Sequence, residues 1–181
     1  MLKITVPAEK EYFDSSTNEF IKISGGVLLL EHSLLSVAKW ESKWNKPFLS
    51  NRDKTMEEAV DYIRCMTVNE VDETIYLNLS DAVIQQIIDY INEPMTATTF
   101  TDSEGGKKNK EVITNEIIYY WMFSLGISKE CENWHLARLL TLIRVCSEKN
   151  NPDKKKMSKR EIYSRNRAIN EARRKQFNTR G

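Results

Sequence analysis

The sequence predicts a mainly α fold of the α+β kind: a helical bundle with a small N-terminal antiparallel β-meander and a basic C-terminal helix. Three observations predict it. The first thirty or so residues alternate apolar and polar side chains, and from Ser33 onward hydrophobic residues recur at helical spacing. From Lys154 to Gly181 the chain carries 11 Lys/Arg and only two acids, Glu161 and Glu171.

Each element follows in order. "LKITV" (2–6) alternates, with Leu2, Ile4 and Val6 on one face, and "EFIKIS" (19–24) sets Phe20 opposite Ile21 and Ile23. "FDSSTNE" between them is rich in turn-formers, and Gly25-Gly26 separates the second strand from a third, "VLLLE". So small a meander must pack on helices to persist. From Ser33, Leu34, Leu35 and Ala38 share a helical face, Trp40 and Trp44 stack one turn apart, and Pro47 stops the helix. "TMEEAVDYIRCM" (55–66) opens with Thr55 and Glu58 at capping-box spacing. "SDAVIQQIIDYIN" (80–92) starts at a Ser N-cap and ends before Pro94, with Val83, Ile84, Ile87, Ile88 and Ile91 as a broad core-facing stripe.

"PMTATTF" (94–100) reads as a connector, and "TDSEGGKKNK" (101–110) as a mobile loop. "TNEIIYYWMFSLG" (114–126) is apolar on most sides, which predicts a central, buried helix closed by Gly126. Ser128 then caps one long helix over 129–150, paired antiparallel with its predecessor. "NPDKKKM" (151–157) breaks the pattern, and Ser158 with Glu161 opens a last helix over roughly 159–176, where Ile162 and Ile169 form a narrow seam one heptad apart.

Charge divides the chain the same way. Of 27 Lys/Arg and 26 Asp/Glu, the tail holds 11 and two, so residues 1–153 keep 16 bases and 24 acids and stand near −8, against +9 for the tail. The expected domains are an acidic globular body, 1–153 (meander in 1–31, helices in 33–150), and a basic helical arm, 154–181. Cys65, Cys131 and Cys146 are odd in number and lack C-x-x-C spacing, which fits buried, reduced thiols and a cytoplasmic chain. "MLKITVPAEK" is not a signal peptide, since Lys3 interrupts its apolar stretch, and no run reaches the length of a membrane span.

Catalysis is poorly served. No nucleophile elbow, phosphate loop or dinucleotide fingerprint is present. Cys131, Glu132 and His135 have spacings that on one helix would suit metal ligands, but a second Glu-x-x-His is missing and the other cysteines are scattered. The expectation is a packed histidine, no metal, no cofactor and no enzyme. Trp44, near a helix end beside Pro47 and Phe48, is the tryptophan most suited to an interface. The arm has three readings: a solvated helix, a nucleic-acid arm held by phosphate contacts, or a docking segment for an acidic protein or another copy of the body. On the docking reading the gripping residues are Lys159, Arg160, Ile162, Arg165, Arg167, Ile169, Arg173 and Arg174, with Trp44 and Phe48 as a further contact. An arm of +9 meeting a body of −8 on the next copy would assemble head to tail.

"NWHLARLLTLIRVCSEKNNPDKKKMSKREIYSRNRAINEARRKQFNTRG", together with "LEHSLLSVAKWESKWNKPFLS", "DYIRCMT" and "NEPMTATTF", resembles proteins of the tail-morphogenesis modules of long-tailed bacteriophages, the tail assembly chaperones. The resemblance covers most of the chain. It implies a non-enzymatic, mostly helical, self-associating protein of the host cytoplasm. Such a protein coats the tape measure protein, recruits tail tube subunits and leaves before the virion matures, and many exist in a short and a frameshift-extended form. The β-rich start and the basic helix have no counterpart in that scheme. They keep open a nucleic-acid-binding, virion structural or packaging accessory role that uses the arm.

Overall fold

A computed structural model describes residues 1–7, 10–16, 18–50, 54–100, 112–150 and 159–177. The expected loop at 101–110, the break at 151–157 and the Ser158 cap lie outside the described residues. The chain divides into two units, Met1–Cys146 and Ser147–Gly181. The mainly α, α+β class is what the chain adopts.

The strands do not form a meander. They are β1 (Leu2–Val6), β2 (Lys10–Asp14), β3 (Glu19–Ile23) and β4 (Gly26–Leu30), in two separate antiparallel pairs, β1 with β4 and β2 with β3. The chain thus runs out and back as one interrupted ribbon, with Val6 opposite Gly26 and Lys10 opposite Ile23. Three residues separate β1 from β2 but only two separate β3 from β4, so the ladders differ by one residue in register. Burial selects this pairing. Ile4, Val6, Leu28 and Leu30 share the face that enters the core, while Phe13 and Phe20 pair across the outward face of the far hairpin, ring centroids 5.1 Å apart. "KEYFD" at 10–14 is the overlooked strand, and only its last two residues, Phe13 and Asp14, fall within the expected turn.

The free edge of β4 is closed by the segment after the second helix. Val68 N–H donates to Leu29 O at 2.9 Å, and the Asn69 amide acts as one more strand residue: Leu29 N–H donates to its Oδ1 and its Nδ2 donates to Val27 O, both at 2.8 Å.

Two expected start signals hold, the Thr55/Glu58 box and the Ser80 cap, whereas Ser128 makes no side-chain cap hydrogen bond. α1 (Leu34–Trp44) is capped by the Ser33 hydroxyl, which accepts from Ser36 N–H, and Asn45 ends it in the left-handed region, two residues before Pro47. α2 (Met56–Met66) carries the Thr55/Glu58 capping box with both of its hydrogen bonds, and α3 (Asp81–Asn92) starts at the Ser80 cap. α4 (Asn115–Ser124) ends in a Schellman turn. Gly126 sits at φ +68°, Ile127 N–H donates to Met122 O, Gly126 N–H donates to Phe123 O, and Ile127 and Met122 are both buried.

Three expectations fail for tertiary reasons. The span 129–150 is not one helix but a 3-10 turn (Lys129–Asn133) followed by α5 (Leu136–Asn150). His135 is drawn into a β-bridge with Ser33, and Leu136 N–H donates to His32 O at 2.7 Å, which pulls the backbone out of helical geometry at Trp134. α4 is not central: Asn115, Ile118 and Met122 are buried, but Tyr120 and Phe123 face outward. The α3 stripe is narrower than expected, with Ile87 buried and Ile88 exposed.

The core joins the inner faces of β1 and β4 to α1, α2, α3, α4 and α5. Trp40, Leu28, Leu30, Leu34, Met66, Ile75, Ile87, Ile118, Met122, Leu136 and Leu139 are almost wholly buried. Trp40 satisfies its indole N–H on Glu58 O at 2.9 Å and stacks on Trp44. The remaining element, α6 (Lys159–Phe177), belongs to the second unit and spans about 28 Å at 1.5 Å per residue.

Candidate protein-interaction surfaces

The two histidines meet inside the first unit, and both are engaged structurally. His135 caps α5: its Nδ1 accepts from Ala137 N–H at 3.3 Å, while its Nε2 donates to Tyr90 O at 3.1 Å. Its ring lies edge-on to His32, centroids 5.1 Å apart. Nδ1 of His32 is 2.6 Å from the Tyr62 hydroxyl. Burial, with His135 adding to it, pushes His32 down to about 3, so it is neutral. Burial likewise raises the Tyr62 and Tyr90 hydroxyls, and Tyr90 donates to Glu31 at 2.6 Å.

Cys131 and Glu132 precede the break at Trp134, so the helical spacing that would align them with His135 is lost. Glu132 instead accepts from the Tyr119 hydroxyl at 2.8 Å. Among the described residues no group of three or more His, Cys, Asp or Glu is placed to hold a metal ion. The three cysteines are free, and Cys131 alone of them is buried.

Glu41, on α1, is the buried carboxylate that organises the far end of the bundle. Its Oε1 accepts from Phe48 N–H at 2.6 Å, and its Oε2 accepts from Asn115 N–H at 2.8 Å and Asn115 Nδ2 at 2.6 Å. Thr114 makes no side-chain cap, so a residue 74 positions away caps α4 instead. An open cleft of about 490 Å³ lies beside it, lined by Ser42, Asn45, Lys46, Pro47, Thr114 and Glu116 among others. Lys46 is already committed to Glu58 at 2.5 Å, a contact that holds the Glu58 carboxyl below its usual range.

Phe48, expected as a further contact beside Trp44, is not exposed. It is buried, 8% exposed, between the rings of Trp40 and Tyr62, with the Lys54 ammonium 4.1 Å from its centroid. Trp44 is half-buried and anchored, its indole N–H donating to Asp61 Oδ2 at 2.8 Å. Asp61 also pairs with Lys43. Pro47 turns the chain back over α1, and that return buries Phe48, which its position in sequence could not reveal.

On α6, Arg160, Arg167 and Arg174 are exposed, and Ile169 is 39% exposed. Lys159, Ile162, Arg165 and Arg173 lie on the same helix, with side chains outside the described residues. Arg160, Tyr163, Arg167, Asn170 and Arg174 follow one another at spacings of three and four, so they share a face. The three guanidinium groups recur every heptad, about 10.5 Å apart along the axis. Tyr163, 74% exposed, stands between the first two.

Compared with known protein families, with curated proteins and with solved structures, the chain matches none. Two surfaces therefore carry the functional reading: the basic face of α6, anticipated from charge, and the aromatic outer face of α4, which was not. The signal for the second was present, since "IIYYWMF" has more apolar surface than one buried face can use. No helix among the described residues is long and apolar enough to cross a membrane.

Proposed function

We propose that this chain is a non-enzymatic tail assembly chaperone of the long-tailed phage type, acting in the host cytoplasm. It self-associates and binds tape measure and tail tube proteins. The observation that carries the reading is α6: a 19-residue helix of the second unit, whose described side chains are all exposed and which carries seven Lys/Arg against two Glu. A helix with so few apolar anchors is marginal in water and gains stability by docking. The long segments that resemble tail-morphogenesis proteins supply the identity of the partners.

The heptad repeat of Arg160, Arg167 and Arg174 favours a second reading, in which the arm binds nucleic acid as a packaging or virion accessory. Co-expression with the products of neighbouring genes separates the two. Recovery of a tape measure fragment, lost when 154–181 is deleted, supports the chaperone. Recovery of nucleic acid that dissociates steeply with salt supports the accessory role. An intact complex after the deletion contradicts the arm as the gripping element.

A further inference from the structure

α4 presents a surface that nothing in the described structure covers. Glu116, Tyr120 and Phe123 lie at i, i+4 and i+7 on its outer side, and the two rings are 68% and 61% exposed. The Tyr119 ring stacks on Phe123, centroids 6.3 Å apart at 19°, which widens the platform to three aromatics. The chain Phe123–Tyr119–Glu132 then links this platform to the 3-10 turn, where Glu130 is exposed. The rim is acidic, with Glu116 at one end and Glu130 and Glu132 at the other, Lys129 offsetting one of them. Backbone and Thr114 hydrogen bonds at the start of α4 hold the Glu116 carboxyl below its usual range, so it is charged at neutral pH.

We propose that this face docks an amphipathic helix of a partner protein whose apolar stripe is flanked by Lys and Arg. The aromatic platform takes the stripe, and the carboxylate rim takes the cations. Exposed Tyr and Phe in one contiguous set are the side chains that dominate binding energy at interfaces, and a helix laid across them would bury all three rings at once. The charge of the rim selects among occupants. A second copy presenting its own α4 would set acidic rim against acidic rim. A basic helix makes the complementary contact. This site lies wholly within the first unit and is independent of the reading given to α6.

The test uses the full chain and a labelled, roughly 18-residue Leu/Lys peptide with the leucines on one helical face, followed by fluorescence anisotropy. A scrambled peptide of equal charge is the control. The amphipathic peptide is expected to bind at least about tenfold more tightly than the scrambled one, and Tyr120→Ser or Phe123→Ser to weaken it by about tenfold each. Both rings are exposed, so circular dichroism and Tm of these variants should match the parent. Glu116→Gln combined with Glu130→Gln is expected to weaken binding severalfold and to flatten its salt dependence. Three results would overturn the proposal. One is binding unchanged by either ring substitution, and another is equal binding of the scrambled peptide. The third is a dimer in light scattering that Phe123→Ser dissociates, which would assign the face to a second copy.

Discussion

Helix α4 has ten residues, of which seven are apolar or aromatic; helix α6 has nineteen, with Ile162, Tyr163, Ala168, Ile169, Ala172 and Phe177 scattered among charges. The first is pinned at both ends, by the Glu41 carboxylate at its start and the Schellman turn at Gly126 at its finish. It still has aromatic surface to spare. The second has no such surplus, and its charge is all of one sign apart from Glu161 and Glu171. A rigid helix with an unmatched apolar face can bind without reordering. A basic helix with a thin seam has to gain its order from the partner, so its binding is weaker per contact and more sensitive to salt.

The comparison can be broken hardest at Glu41. Glu41→Ala removes three hydrogen bonds to a buried anion and leaves the amides of Phe48 and Asn115 unsatisfied. A loss of about 3–5 kcal/mol is expected in urea unfolding, concentrated at the α1–α4 contact. A loss below about 1 kcal/mol would mean that α4 is held by apolar packing alone.

Acid should loosen the first unit through His32. Its folded value of about 3 lies below its ordinary 6.5, so between those pH values the unfolded chain binds more protons. Stability is therefore complete above pH 6.5 and falls as the pH drops toward 3, by up to about 1.4 kcal/mol per pH unit. The window from 6.5 to 5, above most carboxylates, isolates the effect. In His32→Gln the slope there should flatten; a slope unchanged in that variant would remove His32 from the account.

Smaller effects sharpen the contrast. Gly126→Ala meets nothing within 4 Å but must adopt φ +68°, which should cost about 1 kcal/mol and fray the end of α4 beneath Phe123. Smallest is Arg167→Ala on α6, an exposed side chain whose removal should leave Tm unchanged within about 0.5 kcal/mol of stability. It should nonetheless weaken partner binding more at low salt than at high.

Features written in neighbouring residues were legible in the sequence. The Thr55/Glu58 box, the Ser80 cap, the Gly126 turn and the Trp40/Trp44 stack need only a few residues to be recognised. What escaped depends on distant partners. The helix expected over 129–150 breaks because His135 bridges Ser33, about a hundred residues away. Ser128 reads as a cap but makes no side-chain cap hydrogen bond, and the start of α4 is capped by Glu41, 74 positions away. β1 pairs with β4 rather than β3 because Ile4, Val6, Leu28 and Leu30 bury together, a choice that alternation within one strand cannot express. The basic face of α6 was visible in composition, whereas the α4 face emerged only when a helix dense enough to be buried proved to lie at the surface.

Hydrogen–deuterium exchange on the chain alone and in complex with a co-expressed tape measure fragment tests the central claim most directly. Protection is predicted in two separated stretches, residues 115–124 and 159–177, with the second rising from near-complete exchange in the free chain. Protection of neither stretch in a complex that survives purification would contradict both surfaces.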